Sequence, residues 1–140
     1  MVSQGTIFYV DDNPRARRLL GSILKSCGFE IISEGDPSHA LTRSKTISFD
    51  LLLLDYQMPR LSGSVLAQSF KNLKPDVPIV LISGLSCLPP AELVFVDAHI
   101  GRGSTLDELI ESIKMLIRFG PQTPATPARL PLIPDTCQAA

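Results

Sequence analysis

The feature that most constrains the fold of this sequence is a series of short apolar runs that alternate with helical patterns. The runs are TIFYV (6–10), FEIIS (29–33), DLLLL (50–54), PIVLIS (78–83) and the weaker AHIG (98–101). Continuous apolar runs of this length are typical of strands buried on both faces, as in a parallel sheet. Because helical patterns separate them, the sequence predicts a doubly wound α/β domain.

The helical patterns carry start and stop signals of their own. Asn13, followed by a proline, predicts an N-cap, and Gly28 predicts the end of the first helix. Ser62 could cap the third. The clearest helix starts at Ser104 or Thr105, and its apolar stripe is formed by Leu106, Leu109, Ile110, Ile113, Leu116 and Ile117.

The fourth helical unit is the least regular part of the chain. Between Ser83 and Arg102, helix formation is plausible only from Pro90 to Val96, a stretch that is also rich in β-forming residues. We therefore expect five helices, the fourth of them possibly short.

Composition narrows the class of protein. Hydrophobic residues make up 44% of the chain, charged residues 19%, and the net charge is −1, which indicates a globular protein with no bulk attraction to nucleic acid. None of the three cysteines has metal-site spacing, which fits a reducing compartment. No apolar run approaches the roughly 20 residues that span a bilayer. We expect a cytoplasmic protein that contacts neither nucleic acid nor membrane.

The composition of the sequence changes at residue 120. The stretch GPQTPATPARLPLIPDTCQAA (120–140) holds five of the twelve prolines and shows no periodicity. It predicts a proline-rich disordered tail after a domain that spans residues 1–119. The proline spacing also allows a PxxP ligand for an aromatic groove, and the plain tail is the favoured interpretation.

Acidic and hydroxyl side chains follow three of the predicted strands. Asp11 and Asp12 follow the first strand, Asp55 the third, and Ser83 closes the fourth. Functional groups of an open parallel sheet meet at the carboxyl ends of its strands, so these side chains should converge. Three neighbouring carboxylates cannot all stay ionised unaided, and Mg²⁺ favours such oxygen ligands. The sequence predicts a small acidic metal site.

The segments YVDDNP, LLLLDYQMPRLSG and IVLISG together resemble the receiver domain of two-component response regulators. Each segment alone is a weak signal, and their combination at this separation is specific. The resemblance covers roughly residues 5–119. It implies a flavodoxin-like parallel sheet in the strand order 2-1-3-4-5, wrapped by five helices.

The resemblance also implies roles for individual residues. Asp55 would be the phosphoacceptor, and Asp12, Asp55 and the main-chain carbonyl of Gln57 would coordinate Mg²⁺, with Asp11 assisting through water. Ser83 would hydrogen-bond the phosphoryl oxygens. The implied partners are a sensor histidine kinase or phosphotransfer protein and a downstream effector protein.

A further set of implied residues, Met58, Pro59 and Gly63, would shape the turn after the phosphoacceptor. Two other positions depart from the pattern of the family. Arg102 stands where a lysine is expected, so it is either a phosphoryl-binding cation or an exposed cation in a weakened switch. His99 stands where a switching tyrosine or phenylalanine is usual, so it is either a switch residue or a half-buried filler.

These observations predict a single-domain response regulator, because the tail is too short and proline-rich for a helix-turn-helix output domain. The alternative is a pseudo-receiver that acts as a phosphorylation-independent interaction module. A turnover enzyme is disfavoured. Phosphohydrolases with an aspartyl nucleophile carry a D-x-D-x-T pattern, and in this sequence Gln57 stands two residues after Asp55, where that pattern has its second aspartate. The sequence leaves the oligomeric state open.

Overall fold

Five parallel strands form a single sheet in the order β2-β1-β3-β4-β5, in a computed structural model that describes residues 3–58 and 62–121. The strands are β1 (Thr6–Val10), β2 (Glu30–Glu34), β3 (Leu51–Asp55), β4 (Ile79–Ile82) and β5 (Ala98–Ile100). The predicted fold class and strand order are confirmed. Each strand lies within one residue of the apolar run that predicted it.

Four α-helices flank the sheet: α1 (Pro14–Ser26), α2 (Pro37–Ser44), α3 (Gly63–Leu73) and α4 (Leu106–Phe119). Their starts follow the predicted caps. The Asn13 side chain accepts hydrogen bonds from the N–H groups of Arg15 and Ala16, and Thr105 forms a capping box with Glu108. Helix starts were predictable because capping is a local interaction.

The fourth helical unit is short, as predicted, and it is a single 3-10 turn, Pro90–Leu93, rather than an α-helix. Pro89 precedes it in an extended conformation, which prevents a helix from starting earlier. Leu88 and Val96 are both buried and hold the two ends of the connection against the sheet. Few residues remain between these anchors, so one turn is all that fits before β5.

Two apolar layers cover the sheet. Leu52 and Leu54 face the layer that contains α2, α3 and the 3-10 turn, whereas Leu51 and Leu53 face the layer that contains α1 and α4. All four leucines are at most 1% exposed. The leucine run is therefore continuous because β3 is buried on both faces.

A buried ion pair joins α3 to the amino ends of β4 and β5. The Lys71 Nζ atom lies 3.0 Å from Asp97 Oδ2, and the same carboxylate oxygen accepts the N–H of Ile79 at 2.7 Å. Lys71 Nζ also donates to the carbonyl of Val77 at 3.2 Å. These contacts fix the end of the sheet that lies opposite the carboxyl edge.

Two predictions fall on residues that lie outside the described part of the chain: the role of Pro59 in its turn, and the tail from residue 122 onward. Across residues 3–58 and 62–121, no helix has both the length and the apolar character needed to cross a membrane.

Candidate functional site

The parallel register brings three predicted site residues to one edge of the sheet. Val10 pairs with Leu54, so the residues that follow them, Asp11 and Asp55, are neighbours. Asp11, Asp12 and Asp55 each offer a carboxylate oxygen, and these oxygens all lie within 4.8 Å of one another. The structure thus places the three predicted acids together.

The Asp11 carboxylate is buried and is held at both of its oxygens. Its Oδ2 accepts the hydroxyl of Tyr9 at 2.7 Å, and its Oδ1 accepts the main-chain N–H of Asn13 at 3.0 Å. The main-chain carbonyl of Asp11 accepts a hydrogen bond from Arg17 Nη1 at 2.6 Å. The orientation of Asp11 is therefore set by β1 and by the start of α1.

The electrostatic surroundings of Asp55 disfavour its ionised form. Burial raises the pKa of its carboxyl to about 7, the charges of Asp11 and Asp12 contribute to the rise, and the N–H of Gln57 opposes it. That N–H lies 3.3 Å from Asp55 Oδ1, so the main chain of residue 57 is beside the cluster.

The donor set fits a hard divalent cation. Three carboxylates and a nearby main-chain segment offer oxygen ligands, which Mg²⁺ prefers. A cation among the carboxylates would also offset their mutual repulsion and favour the ionised form of Asp55.

The turn after Asp55 requires glycine at position 63. A Cβ atom added to Gly63 would lie 2.8 Å from the Cα of Tyr56 and 2.9 Å from the carbonyl oxygen of Asp55. The N–H of Gly63 donates to the carbonyl of Tyr56 at 3.0 Å. The start of α3 is therefore packed directly against the backbone of the predicted phosphoacceptor.

Ser83 and His99 lie together, and they are hydrogen-bonded to each other. The distance between Ser83 Oγ and His99 Nε2 is 2.9 Å, and Ser83 Oγ also donates to the carbonyl of Leu85 at 3.2 Å. Burial lowers the pKa of His99, so its ring is neutral near pH 7. Gly101 leaves room for the ring, because a Cβ there would collide with the carbonyl of Leu85 and with the ring of His99.

Arg102 is exposed, and its main-chain N–H donates to the carbonyl of Leu85 at 2.8 Å. Its side chain makes no hydrogen bond or ion pair with any residue in the described parts of the chain. The structure therefore does not bring its guanidinium to the carboxylates.

Two features of this region escaped the sequence analysis. The first is Tyr9, although a tyrosine in a buried strand needs a hydrogen-bond partner, and Asp11 lies two residues on along the same face. The second is Glu92, which accepts hydrogen bonds from the hydroxyls of Tyr56 at 3.1 Å and Ser64 at 2.7 Å. No local sequence pattern indicates the contacts of Glu92, because its partners are distant in the sequence.

Comparison with known proteins identifies relatives of this chain. Residues 7–100 match the response regulator receiver domain family. Response regulator RR06 of Streptococcus pneumoniae is 30% identical over 115 residues, which are 80% of this chain and 52% of the relative. The chain thus spans about half the length of that relative.

Solved structures give the same result. The response regulator TrrA of Thermotoga maritima, in complex with Mg(2+)-BeF, is 31% identical with a TM-score of 0.74, over 79% of this chain and 97% of the other. TrrA in complex with the histidine kinase ThkA has a TM-score of 0.73 at the same identity and coverage. The fold, the acidic edge of the sheet and these matches together show that the chain belongs to the response regulator receiver domain family.

Proposed function

We propose that this chain acts as a response regulator that accepts a phosphoryl group on Asp55 from a histidine kinase or a phosphotransfer protein. The observation that carries the proposal is the convergence of Asp11, Asp12 and Asp55 at the carboxyl edge of the sheet. The complex of the similar protein TrrA with the histidine kinase ThkA supports a kinase as the partner.

The acidic cluster is the proposed Mg²⁺ site. Asp12, Asp55 and the main-chain carbonyl of Gln57 coordinate the cation, and Asp11 assists through water. The solved complex of TrrA with Mg(2+)-BeF supports this assignment. When bound, Mg²⁺ supplies positive charge that offsets the repulsion between a carboxylate and an anionic phosphoryl group.

The residues of the chain supply the rest of the chemistry. An ionised oxygen of Asp55 attacks the phosphorus of a phosphohistidine, the P–N bond breaks, and the departing imidazole nitrogen keeps the electron pair. The product is an acyl phosphate on Asp55. Because the chain is itself the acceptor and is consumed in each transfer, it is not a turnover enzyme.

Ser83 and Arg102 are the proposed ligands of the phosphoryl oxygens. Ser83 must exchange its bond to His99 for one to the phosphoryl group, which would move the segment around Leu85. The Arg102 side chain is exposed, so it can turn toward the new charge without breaking an existing ion pair with a described residue. The added negative charge thereby changes the protein-interaction surface that an effector protein reads.

The organisation of the chain is part of the proposal. Residues 1–119 form the receiver unit, and residues 120–140 form a proline-rich tail outside it. We place the protein in the cytoplasm, with output through another protein rather than through nucleic acid or a membrane.

A pseudo-receiver that binds partners without phosphorylation is the second candidate. It is favoured by one observation, the exposed side chain of Arg102, which has no contact with the carboxylates.

Incubation with acetyl phosphate and Mg²⁺, followed by intact-mass measurement, separates the two functions. We expect one phosphoryl adduct on the wild type, none on Asp55→Asn, and an undiminished adduct on Asp107→Asn, which removes an exposed acid of α4. A wild type without adduct would support the pseudo-receiver, whereas a full adduct on Asp55→Asn would show that Asp55 is not the phosphoacceptor.

A further inference from the structure

We propose that Tyr9 is a positioning residue for the cation site, because its hydroxyl fixes the Asp11 carboxylate before the cation arrives. The inference rests on the Mg²⁺ site of the proposed function and adds a residue to it. It starts from one contact, the 2.7 Å hydrogen bond from the Tyr9 hydroxyl to Asp11 Oδ2.

Strand geometry determines that contact. Tyr9 and Asp11 are two residues apart at the end of β1, so their side chains leave the same face of the sheet. The phenol lies in the apolar layer of α1 and α4, is 1% exposed, and reaches along the strand to the carboxylate. Because water has little access to this hydroxyl, Asp11 is its hydrogen-bond partner rather than solvent.

The hydrogen bond from Tyr9 offsets the repulsion between Asp11 and the neighbouring carboxylates. Asp11 is 4% exposed and stands beside the carboxylates of Asp12 and Asp55. A buried carboxylate in this position needs donors that hold its orientation beside the neighbouring carboxylates. Tyr9 and the N–H of Asn13 supply one donor to each oxygen of Asp11.

The chemical type of the donor is also suited to the role. A lysine at position 9 would stabilise the Asp11 charge as well, and its ammonium group would compete with a metal cation. The phenol is a neutral donor and adds no positive charge to the site. Tyr9 therefore stays a donor and leaves the negative charge of the cluster available to Mg²⁺.

Tyr9→Phe removes the hydroxyl and keeps the ring that fills the core. We expect calorimetric titration of the 140-residue chain with MgCl₂ to give a Kd roughly 10-fold weaker than that of the wild type. This is the low end of the usual effect of losing a residue that orients a metal site, because Asp11 acts through water. The Mg²⁺ concentration that half-saturates phosphorylation by acetyl phosphate should rise by the same factor. The rate at saturating Mg²⁺ should stay within about twofold of the wild type, since Asp55 itself is untouched.

The matched control is Tyr56→Phe, which removes the only other tyrosine hydroxyl of the chain, one that is bonded to Glu92. We expect its Mg²⁺ Kd to equal that of the wild type. A purely structural role for Tyr9 predicts something different: a lower free energy of unfolding in urea without Mg²⁺, and an unchanged Kd.

Two outcomes would overturn the inference, and they are distinguishable from failure of the proposed function. Equal Kd values for wild type and Tyr9→Phe refute the positioning role and leave the Mg²⁺ site intact. A wild type that binds no Mg²⁺ refutes the site itself and the positioning role with it.

A double-mutant cycle keeps the inference testable if Tyr9→Phe folds poorly. In an Asp11→Asn background the carboxylate that Tyr9 holds is gone, so adding Tyr9→Phe should change the Kd no further. Independent, multiplying effects of the two substitutions on the Kd would contradict the proposal.

Discussion

At the scale of single residues, the Ser83 hydroxyl already has partners that compete with the role proposed for it. It is bonded to His99 at 2.9 Å and to the carbonyl of Leu85 at 3.2 Å, so phosphoryl binding must replace existing hydrogen bonds. The resembled family usually has a tyrosine or phenylalanine at the position of His99, and neither has a ring nitrogen that could bond Ser83 as His99 does. In this chain the resting position of Ser83 is therefore tied to the neutral form of a histidine.

The His99 contact makes the stability of the protein depend on pH in a predictable direction. Burial lowers the pKa of His99 from its usual value of 6.5, so the unfolded chain takes up a proton at higher pH than the folded chain does. The stability that the neutral ring contributes is present above about pH 6.5 and is lost as the pH falls through that value toward the folded pKa. We expect the free energy of unfolding in urea, taken relative to that of His99→Phe, to fall between about pH 7.5 and pH 5.5. The raised pKa of Asp55 acts in the opposite direction over the same range in both proteins, because its carboxyl takes up a proton in the folded state first.

Comparing the two proteins cancels the contributions of the groups that they share, including Asp55. An equal change of stability with pH in wild type and His99→Phe would show that His99 does not titrate with folding.

At the scale of elements, the 3-10 turn that replaces an α-helix is tied to the turn after the phosphoacceptor. Glu92 of the 3-10 turn bonds both Tyr56, which follows Asp55, and Ser64 in the first turn of α3. A short element buries little apolar area of its own, so polar contacts matter more to its placement. The connection between β4 and β5 therefore shares a contact with the segment where the reaction is proposed to occur.

Glu92→Ala should loosen this element more than the rest of the fold. Two hydrogen bonds to a half-buried carboxylate are lost, which we expect to lower the free energy of unfolding by about 1–2 kcal/mol. Hydrogen exchange should accelerate mainly in residues 84–97. The control is Glu111→Ala, which removes an exposed glutamate of α4; a similar exchange pattern in both variants would contradict a specific role for Glu92.

The elements also show what the sequence could predict. The strands and helix starts were predictable because a buried strand such as Leu51–Leu54 and a cap such as Asn13 depend on nearby residues alone. The convergence of the acids followed from parallel topology. The Glu92 contacts join residues 28 and 36 positions apart, and the orientation of Arg102 depends on the loop around it, so neither could be read from a local pattern.

At the scale of the whole molecule, the two ends of the sheet carry different kinds of charge. The carboxyl edge gathers Asp11, Asp12 and Asp55, whose mutual repulsion disfavours the folded state unless a cation is present. The amino end holds the buried pair of Lys71 and Asp97, in which opposite charges meet. Because the two clusters lie at opposite ends of the sheet and on different strands, stability and reactivity can be changed separately in this fold.

Lys71→Met tests that separation. Methionine keeps the unbranched aliphatic shape of the lysine stem and removes the ammonium group. The Asp97 side chain, which is 0% exposed, then loses its ion pair with Lys71. Removing one partner of a buried ion pair costs about 3–5 kcal/mol, so we expect a loss of that size in the free energy of unfolding in urea. At temperatures where the variant remains folded, the Mg²⁺ Kd and the rate of phosphorylation by acetyl phosphate should match the wild type.

Lys114→Met is the matched control, because this lysine is exposed on α4 and its replacement should change stability by less than about 0.5 kcal/mol. A second substitution gives a further test. Adding Asp97→Asn to Lys71→Met removes the buried charge and should recover part of the lost stability. If Lys71→Met instead weakened Mg²⁺ binding in the folded protein, the two ends of the sheet would be coupled. The strands would then transmit changes along their length rather than hold the acidic edge as a fixed platform.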